Sequence, residues 1–151
     1  MYKYAVAVKN TGLLLAATIG GALAQAFGGW DALLKALLIC MAVDYITGIV
    51  LAALGRSNKS DSGHISSHAA VTGIIKKGVV LLIVLVAAAL EGATGTEFIR
   101  DTVIIFFIGS EGLSIVENAG LLGVPMPEAL KKWFEVLRDK GDGGDDDDPR
   151  D

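Results

Sequence analysis

The chain has 151 residues, 52% of them hydrophobic and 20% charged, and its mean hydropathy is +0.54. This length holds one domain, and the composition is more apolar and less charged than that of most soluble domains, which argues against a soluble enzyme. The net charge of −4 arises at the C-terminus: residues 141–151 carry six Asp and one Arg, which leaves a net charge of +1 on the other 140 residues. Cys40 is the single cysteine, so no intramolecular disulfide can form.

The first apolar stretch, residues 12–29, contains eighteen residues and no charge. About 20 apolar residues cross a bilayer as a helix, so we predict a first transmembrane helix here. Small residues recur at every fourth position along it, at Gly12, Ala16, Gly20, Ala24 and Gly28. Because small residues let membrane helices approach closely, this face either packs within one copy of the chain or joins copies, and the sequence leaves both interpretations open.

The same stretch also resembles a secretory signal peptide. Lys3 and Lys9 precede the apolar residues, and Ala22-Leu23-Ala24 has the A-x-A pattern of a cleavage site. We predict that the helix is retained, because helices rich in alanine and glycine produce this tripeptide by chance.

The second predicted span, residues 32–54, carries a carboxylate at its centre. Asp44 at this depth costs about 2.5–3.5 kcal/mol on insertion scales, and no Lys or Arg lies at matching depth in another predicted span. We therefore expect Asp44 to be protonated, hydrogen-bonded inside a bundle or facing water, and to mark a pathway or an assembly contact. Thr47 lies one turn further on the same face, and Gly48 and Ala52 repeat the small-residue pattern.

The third predicted span is short. Residues 55–71 are rich in Ser, Asn, Gly and His and predict a solvated connector. His64 and His68 are four residues apart, but no Glu or Cys lies nearby, so no metal site is predicted. The apolar residues that follow, 78–90, are fewer than a full span needs, and we expect this helix to include residues on either side.

The fourth predicted span, residues 102–122, has a polar stripe on one face. Glu111, Ser114 and Asn118 lie at i, i+3 and i+7 of an otherwise apolar helix, and Glu117 adds a further carboxylate. One copy could hide this stripe internally, or a ring of copies could line water with it. The chain has no catalytic triad, phosphate-binding glycine loop or zinc-ligand spacing, so no enzyme is predicted.

The segment after the fourth span, residues 125–140, predicts an amphipathic helix, and Pro127 suits its first turn. Its apolar side chains have a helical period: Met126, Leu130, Trp133, Phe134 and Leu137. A basic amphipathic helix with Trp and Phe beside a span usually lies on the membrane surface, and a docking face for a partner helix is the alternative. The acidic residues 141–151 predict a disordered, solvated tail.

The distribution of Lys and Arg predicts the topology. Basic residues lie before the first span, between the second and third, and after the fourth, while the other two loops are nearly free of them. This pattern predicts four spans with the N- and C-termini in the cytoplasm. The predicted topology anchors are Arg56, Lys76, Lys77, Lys131 and Lys132.

Four motifs, in order and on the expected elements, resemble the toxin-secretion and phage-lysis holin family over about residues 25–138. They are Asp44-Tyr45-Ile46-Thr47-Gly48, Ser66-Ser67 followed by Gly73 and Lys76-Lys77, Ser110-Glu111-Gly112-Leu113-Ser114-Ile115-Val116-Glu117-Asn118, and Gly123-Val124-Pro125. The chain departs from the family pattern at Ser110, where such proteins often have Asn, and in its acidic tail.

The resemblance implies an all-α membrane protein encoded by a phage or prophage, without cofactor, metal or nucleic acid. We expect a four-helix transmembrane domain at residues 1–124, an interfacial helix at 125–140 and the tail at 141–151. Such proteins form homo-oligomers in the bacterial cytoplasmic membrane, among its lipids, and open timed lesions that release or activate an endolysin or export a toxin. Asp44 is expected to face the polar stripe of the fourth span or to share an aqueous path with it. The alternatives are a small ion-coupled transporter that uses Asp44 and Glu111, and an accessory or antiholin subunit.

Overall fold

A computed structural model describes residues 2–57 and 66–141, with side chains from Thr11 onward. These residues form helices and no strand, so the predicted all-α class is confirmed for this part of the chain. The helices are α1 (Tyr2–Ala26), α2 (Ala32–Ala53), α3 (Ser67–Thr94), α4 (Ile99–Leu121) and α5 (Glu128–Gly141). The predicted acidic tail lies outside the described residues, apart from Gly141, which ends α5.

The ends of the helices follow local capping chemistry. The Asp31 carboxylate accepts a hydrogen bond from the backbone N–H of Leu34 at 2.8 Å and so caps α2. Ser66 caps α3 in the same way through the N–H of Ala69 at 3.4 Å. The prediction of a connector as far as residue 71 is therefore wrong at its C-terminal end, because the Ser66 cap starts a 28-residue helix that extends the apolar stretch 78–90 on both sides, as expected.

The turn after α4 reverses the chain. Gly123 has φ +84°, a left-handed conformation that favours glycine. Its N–H donates to the carbonyl of Gly120 at 3.0 Å, and the N–H of Val124 donates to the carbonyl of Ala119 at 3.0 Å, the paired bonds of a Schellman motif. α5 then runs back along α4 in the antiparallel direction.

α4 is the central helix of the described fold. It packs against α2 and α3 on one side and against α5 on the other, whereas α1 packs on α3 alone among the helices. The buried core contains α2, α3 and α4 side chains: Leu34, Leu37, Met41, Val84, Ile104 and Ile108.

Two helices, α2 and α3, are long and apolar enough to cross a membrane, and Thr11–Ala26 of α1 is a shorter apolar segment. The outward faces of α2 and α3 carry large apolar side chains that are more than half exposed, such as Ile39, Ile46, Leu82 and Val86. Extended apolar surface of this kind is expected against lipid rather than water. These features indicate a membrane protein, and the count of four spans stays a prediction.

Candidate functional site: a buried ion cluster between three helices

The core stripes of α2 and α4 carry the polar residues of the site. On α2 the buried positions are Leu34, Leu37, Met41, Asp44 and Leu51, a helical period that places Asp44 in the same stripe as the core leucines. On α4 the stripe that begins with Ile104 and Ile108 continues as Glu111, Ser114 and Asn118. The contact between α2 and α4 is therefore apolar near the start of both helices. Further along both helices it contains the polar side chains, from Asp44 on α2 and from Glu111 on α4.

Asp44 and Glu111 share one lysine. The Lys77 Nζ donates to the Asp44 Oδ2 at 3.0 Å and to the Glu111 Oε2 at 2.5 Å. The three side chains are between 11% and 16% exposed, so these ion pairs are largely removed from solvent. Two carboxylates and one ammonium give the cluster a net charge of −1 when all three are ionised.

Neutral donors also contact Asp44. The Ser114 hydroxyl donates to the Asp44 Oδ1 at 2.5 Å, and the Asn118 Nδ2 donates to the same oxygen at 3.0 Å. Asn118 also donates to the Thr47 hydroxyl at 3.0 Å, while Thr47 donates to the backbone carbonyl of Val43 at 2.9 Å. The predicted polar stripe of α4 thus faces Asp44 and Thr47 of α2 within one copy of the chain.

The prediction that no Lys or Arg lies at the depth of Asp44 in another span is wrong. Because α3 begins at Ser67, Lys77 lies about three turns into the helix and level with the middle of α2. Its flexible four-carbon stem carries the ammonium group to both carboxylates. Lys77, predicted as a topology anchor, is therefore part of the cluster, while the neighbouring Lys76 is exposed.

The other predicted site residues lie apart from this cluster. Glu117 is exposed, and so are the predicted anchors Arg56, Lys131 and Lys132. The small residues of α1 have few neighbours: Gly12, Ala16 and Gly20 are exposed, Ala24 is half-buried, and a Cβ at Gly12 or Gly20 would meet nothing within 4 Å. Gly48 and Ala52 of α2 are half-buried, and a Cβ at Gly48 would also meet nothing within 4 Å. Gly12, Ala16 and Gly20 of α1 therefore make no close helix contact among the described side chains.

A second ionic node at the start of α4 was missed by the sequence analysis. Arg100, which is 3% exposed, donates to the Phe27 carbonyl at 2.5 Å and to the Asp31 Oδ2 at 2.6 Å. The hydrogen bond from Arg100 is the main cause of the lowered pKa of Asp31. Gly28 adopts φ +77°, and a Cβ there would lie 2.8 Å from the Arg100 Cδ. Arg100 thereby ties the α1–α2 loop to α4, and nothing in the local sequence distinguished it from an ordinary loop arginine.

The apolar face of α5 lies on α4, and the position of this helix at the membrane surface stays a prediction. Gly109 and Gly112 leave α4 without side chains where α5 crosses it, and the Phe134 ring occupies the space over Gly112. The helix on which this face packs, α4, belongs to the same chain. The two glycines gave no signal of this contact because glycine is frequent throughout the sequence.

The fold and the site define a small helical membrane protein that encloses a charged cluster between apolar helices. Residues 21–139 match the bacteriophage holin family, and the chain belongs to this family, which is not a family of enzymes. Among curated relatives, an uncharacterised 14.9 kDa protein of Clostridium perfringens is 38% identical over 116 residues, covering 76% of this chain and 83% of the relative.

Two further relatives extend the comparison. An uncharacterised protein of Halalkalibacterium halodurans is 35% identical over 133 residues, covering 84% of this chain and 92% of the relative. A protein named as a probable holin, from Bacillus phage phi105, is 28% identical over 110 residues, covering 72% and 76% of the two chains. No solved structure matches the chain at a significant level.

Proposed function

We propose that the protein is a holin of the bacterial cytoplasmic membrane, in which four helices span the bilayer with both termini in the cytoplasm. Copies accumulate in a closed form and then open lesions at a set time, which release or activate an endolysin or let a toxin out. The observation that carries this proposal is the cluster of Asp44, Lys77, Glu111, Ser114 and Asn118, enclosed between helices whose outer faces are apolar.

The cluster gives the closed form a physical basis. Charged side chains facing hydrocarbon are unfavourable, and here the ion pairs and hydrogen bonds keep Asp44, Glu111 and Lys77 satisfied inside one copy. The outer faces of α2 and α3 therefore stay apolar towards lipid, and copies can accumulate without opening the membrane.

The same residues supply the lining of an opening. When α4 moves away from α2 and α3, Asp44 and Glu111 lose their hydrogen bonds within the chain. Water then supplies new hydrogen bonds to these carboxylates, which lipid could not do. A rearranged ring of copies with α4 facing its centre provides that water. Lesion formation then requires several copies, which is why it depends on how much protein has accumulated.

The test is expression from an inducible promoter in a bacterial host, with and without a cytoplasmic endolysin, while culture turbidity and membrane potential are followed. Delayed, abrupt lysis with the endolysin, and loss of potential without it, is the expected result. Continued growth with an intact potential, despite membrane insertion confirmed by fractionation, would contradict the proposal. Solute uptake into vesicles without leakage would instead identify an ion-coupled transporter, and delayed lysis by a co-expressed holin would identify an antiholin.

A further inference from the structure

An apolar cleft lies between α1, α2 and α3, beside the loop that joins α1 to α2. Its volume is about 250 Å³. The side chains and backbone that line it include Gly20 and Phe27 of α1, Trp30 of the loop, Leu34 and Leu38 of α2, and Leu81 of α3. Among the helices, α1 packs on α3 alone, so α1 does not close onto α2 and the cleft stays open between them.

Water is a poor occupant of this cleft. A buried water molecule needs about two to four polar partners, and the indole N–H of Trp30 is the one polar group that the lining side chains offer. On the α1 side, a Cβ at Gly20 would meet nothing within 4 Å, so the wall is recessed there. An open apolar space of this kind in a membrane protein is filled by hydrocarbon.

The dimensions of the cleft suit a single hydrocarbon chain and exclude a helix. Gly20 and Phe27 are seven residues apart on α1, so this wall is about 10 Å long. A helix with its side chains is about 10–12 Å wide, and 10 Å of its length therefore occupies roughly 800 Å³ or more. The cleft holds about a third of that volume, which leaves room for one unbranched chain and none for the helix of a second copy.

A positive charge lies at the loop end of the cleft. The Lys35 Nζ is 6.0 Å from the centroid of the Trp30 ring, and Trp30 lines the cleft while remaining 58% exposed. Lys35 is exposed and forms no ion pair with another described side chain. The carboxylate of Asp31, one turn earlier, pairs with Arg100 at 2.6 Å, so the Lys35 ammonium is available to an anion.

Trp30 and Lys35 together have the chemistry of a headgroup site. Trp is enriched where a membrane meets water, and the long stem of a Lys side chain carries its ammonium group to that depth. A phosphate beside Lys35 would thus lie at the membrane surface, directly above a cleft that accepts an acyl chain.

We propose that the cleft binds one acyl chain of an anionic phospholipid, whose phosphate pairs with Lys35 beside Trp30. The site rests on the proposed function only in that α1, α2 and α3 lie in a bilayer. The bound lipid fills the gap between α1 and α2 and so becomes part of the packing of α1.

Native mass spectrometry of the full-length protein tests the headgroup contact. The protein is extracted in mild detergent and mixed with equal amounts of phosphatidylglycerol and phosphatidylcholine that carry identical acyl chains. A Lys near a membrane surface contributes about 1 kcal/mol towards anionic lipid, so we expect one retained phosphatidylglycerol per chain, in about five-fold excess over phosphatidylcholine. Lys35→Gln should abolish this excess, whereas Lys76→Gln, at another exposed lysine, should keep it.

Two neighbouring glycines test the cleft itself. Gly20→Leu places a side chain in the cleft and should lower the retained lipid at least five-fold. Gly21→Leu is the matched control, because Gly21 is also exposed with nothing within 4 Å of its Cβ but does not line the cleft. Equal retention by these two variants would overturn the cleft as the site, as would a lipid-free dimer of the unmodified chain.

The outcome for the lipid is independent of lysis. Equal retention of the two lipids by the unmodified chain, or an unchanged excess in Lys35→Gln, would overturn the pairing of phosphate with Lys35. Selective retention without lysis would leave the lipid site standing against the holin function, and lysis without retained lipid would do the reverse.

Discussion

Replacing Lys77 by methionine removes the ammonium group that pairs with both Asp44 and Glu111 while keeping an unbranched side chain of similar length. The two carboxylates, whose side chains are 11% and 12% exposed, then lie close together without that cation. Removing one partner of a buried ion pair costs about 3–5 kcal/mol, and a tenfold change in an equilibrium corresponds to about 1.4 kcal/mol. The closed arrangement of α2, α3 and α4 should therefore be disfavoured by a factor of roughly 10² to 4 × 10³.

The assay for this prediction is the interval between induction and lysis at matched amounts of membrane-inserted protein. Because the closed form is weakened, Lys77→Met should trigger lysis markedly earlier than the unmodified chain. Lys76→Met is the matched control, since Lys76 is adjacent, equally charged and exposed. Equal timing in the two variants would refute the argument that the buried ion pairs stabilise the closed form.

A neutral version of the cluster separates charge from packing. Adding Asp44→Asn and Glu111→Gln to Lys77→Met removes the uncompensated carboxylates, so this triple variant should trigger later than Lys77→Met alone. Residues within one hydrogen-bonded network are expected to show such coupling. Additive effects of the three substitutions would mean that these side chains act independently.

Three further predictions concern the cluster and the Arg100 node. Asp44→Asn and Glu111→Gln, made singly, should each shift lysis timing at equal protein level, because each alters an ion pair with Lys77. Gly28→Ala should destabilise the detergent-solubilised protein by about 1–3 kcal/mol, measured as thermal aggregation, because alanine at φ +77° is strained and its Cβ would crowd Arg100. The pKa of Asp31 is lowered from its ordinary value of 3.8 by the hydrogen bond from Arg100. The pairing of Asp31 with Arg100 therefore stabilises the fold at pH values above 3.8, and this stabilisation is lost as the pH falls through the lower pKa of the folded state.

Matched variants make these last two predictions decisive. Gly120→Ala alters a helical glycine of α4 whose Cβ would meet nothing within 4 Å, so it should leave the aggregation temperature near that of the unmodified chain. Asp31→Asn should reduce the decrease in melting temperature that the unmodified chain shows between pH 5 and pH 2. If Gly28→Ala behaves like Gly120→Ala, or if Asp31→Asn keeps the full acid sensitivity, the Arg100 node contributes nothing to stability.

The sequence was sufficient to predict which polar side chains face one another between α2 and α4, because their positions follow the helical period. Asp44 on α2 and the stripe of Glu111, Ser114 and Asn118 on α4 stood out as polar groups at regular spacing in apolar helices, and such groups must satisfy one another or meet water. The structure brings these four side chains together. Periodicity also indicated that α5 has one apolar face.

The remaining features depend on distances that no local pattern encodes. Lys77 looked like the boundary of an apolar stretch, and only the Ser66 cap, which starts α3 earlier, shows that it lies level with Asp44. The local sequence did not distinguish Arg100 from other loop arginines, because its partners Phe27 and Asp31 lie about 70 residues earlier in the chain. The contact of α5 with α4 could not be predicted from the sequence, because it depends on Gly112, and a glycine adds no side chain to the periodic pattern of a helix.

In the proposed function, the cluster of Asp44, Lys77 and Glu111 is enclosed before lysis and faces water after it. Ser114→Cys in a Cys40→Ala background reports this directly, because the Ser114 hydroxyl contacts Asp44 at 2.5 Å. A water-soluble maleimide is applied to open membrane fragments prepared before and after triggering, and the labelled fraction is compared with that of Arg56→Cys at an exposed position. We expect Ser114→Cys to be protected before triggering and labelled to the level of Arg56→Cys afterwards. Equal labelling at both times, or protection that persists through lysis, would contradict it.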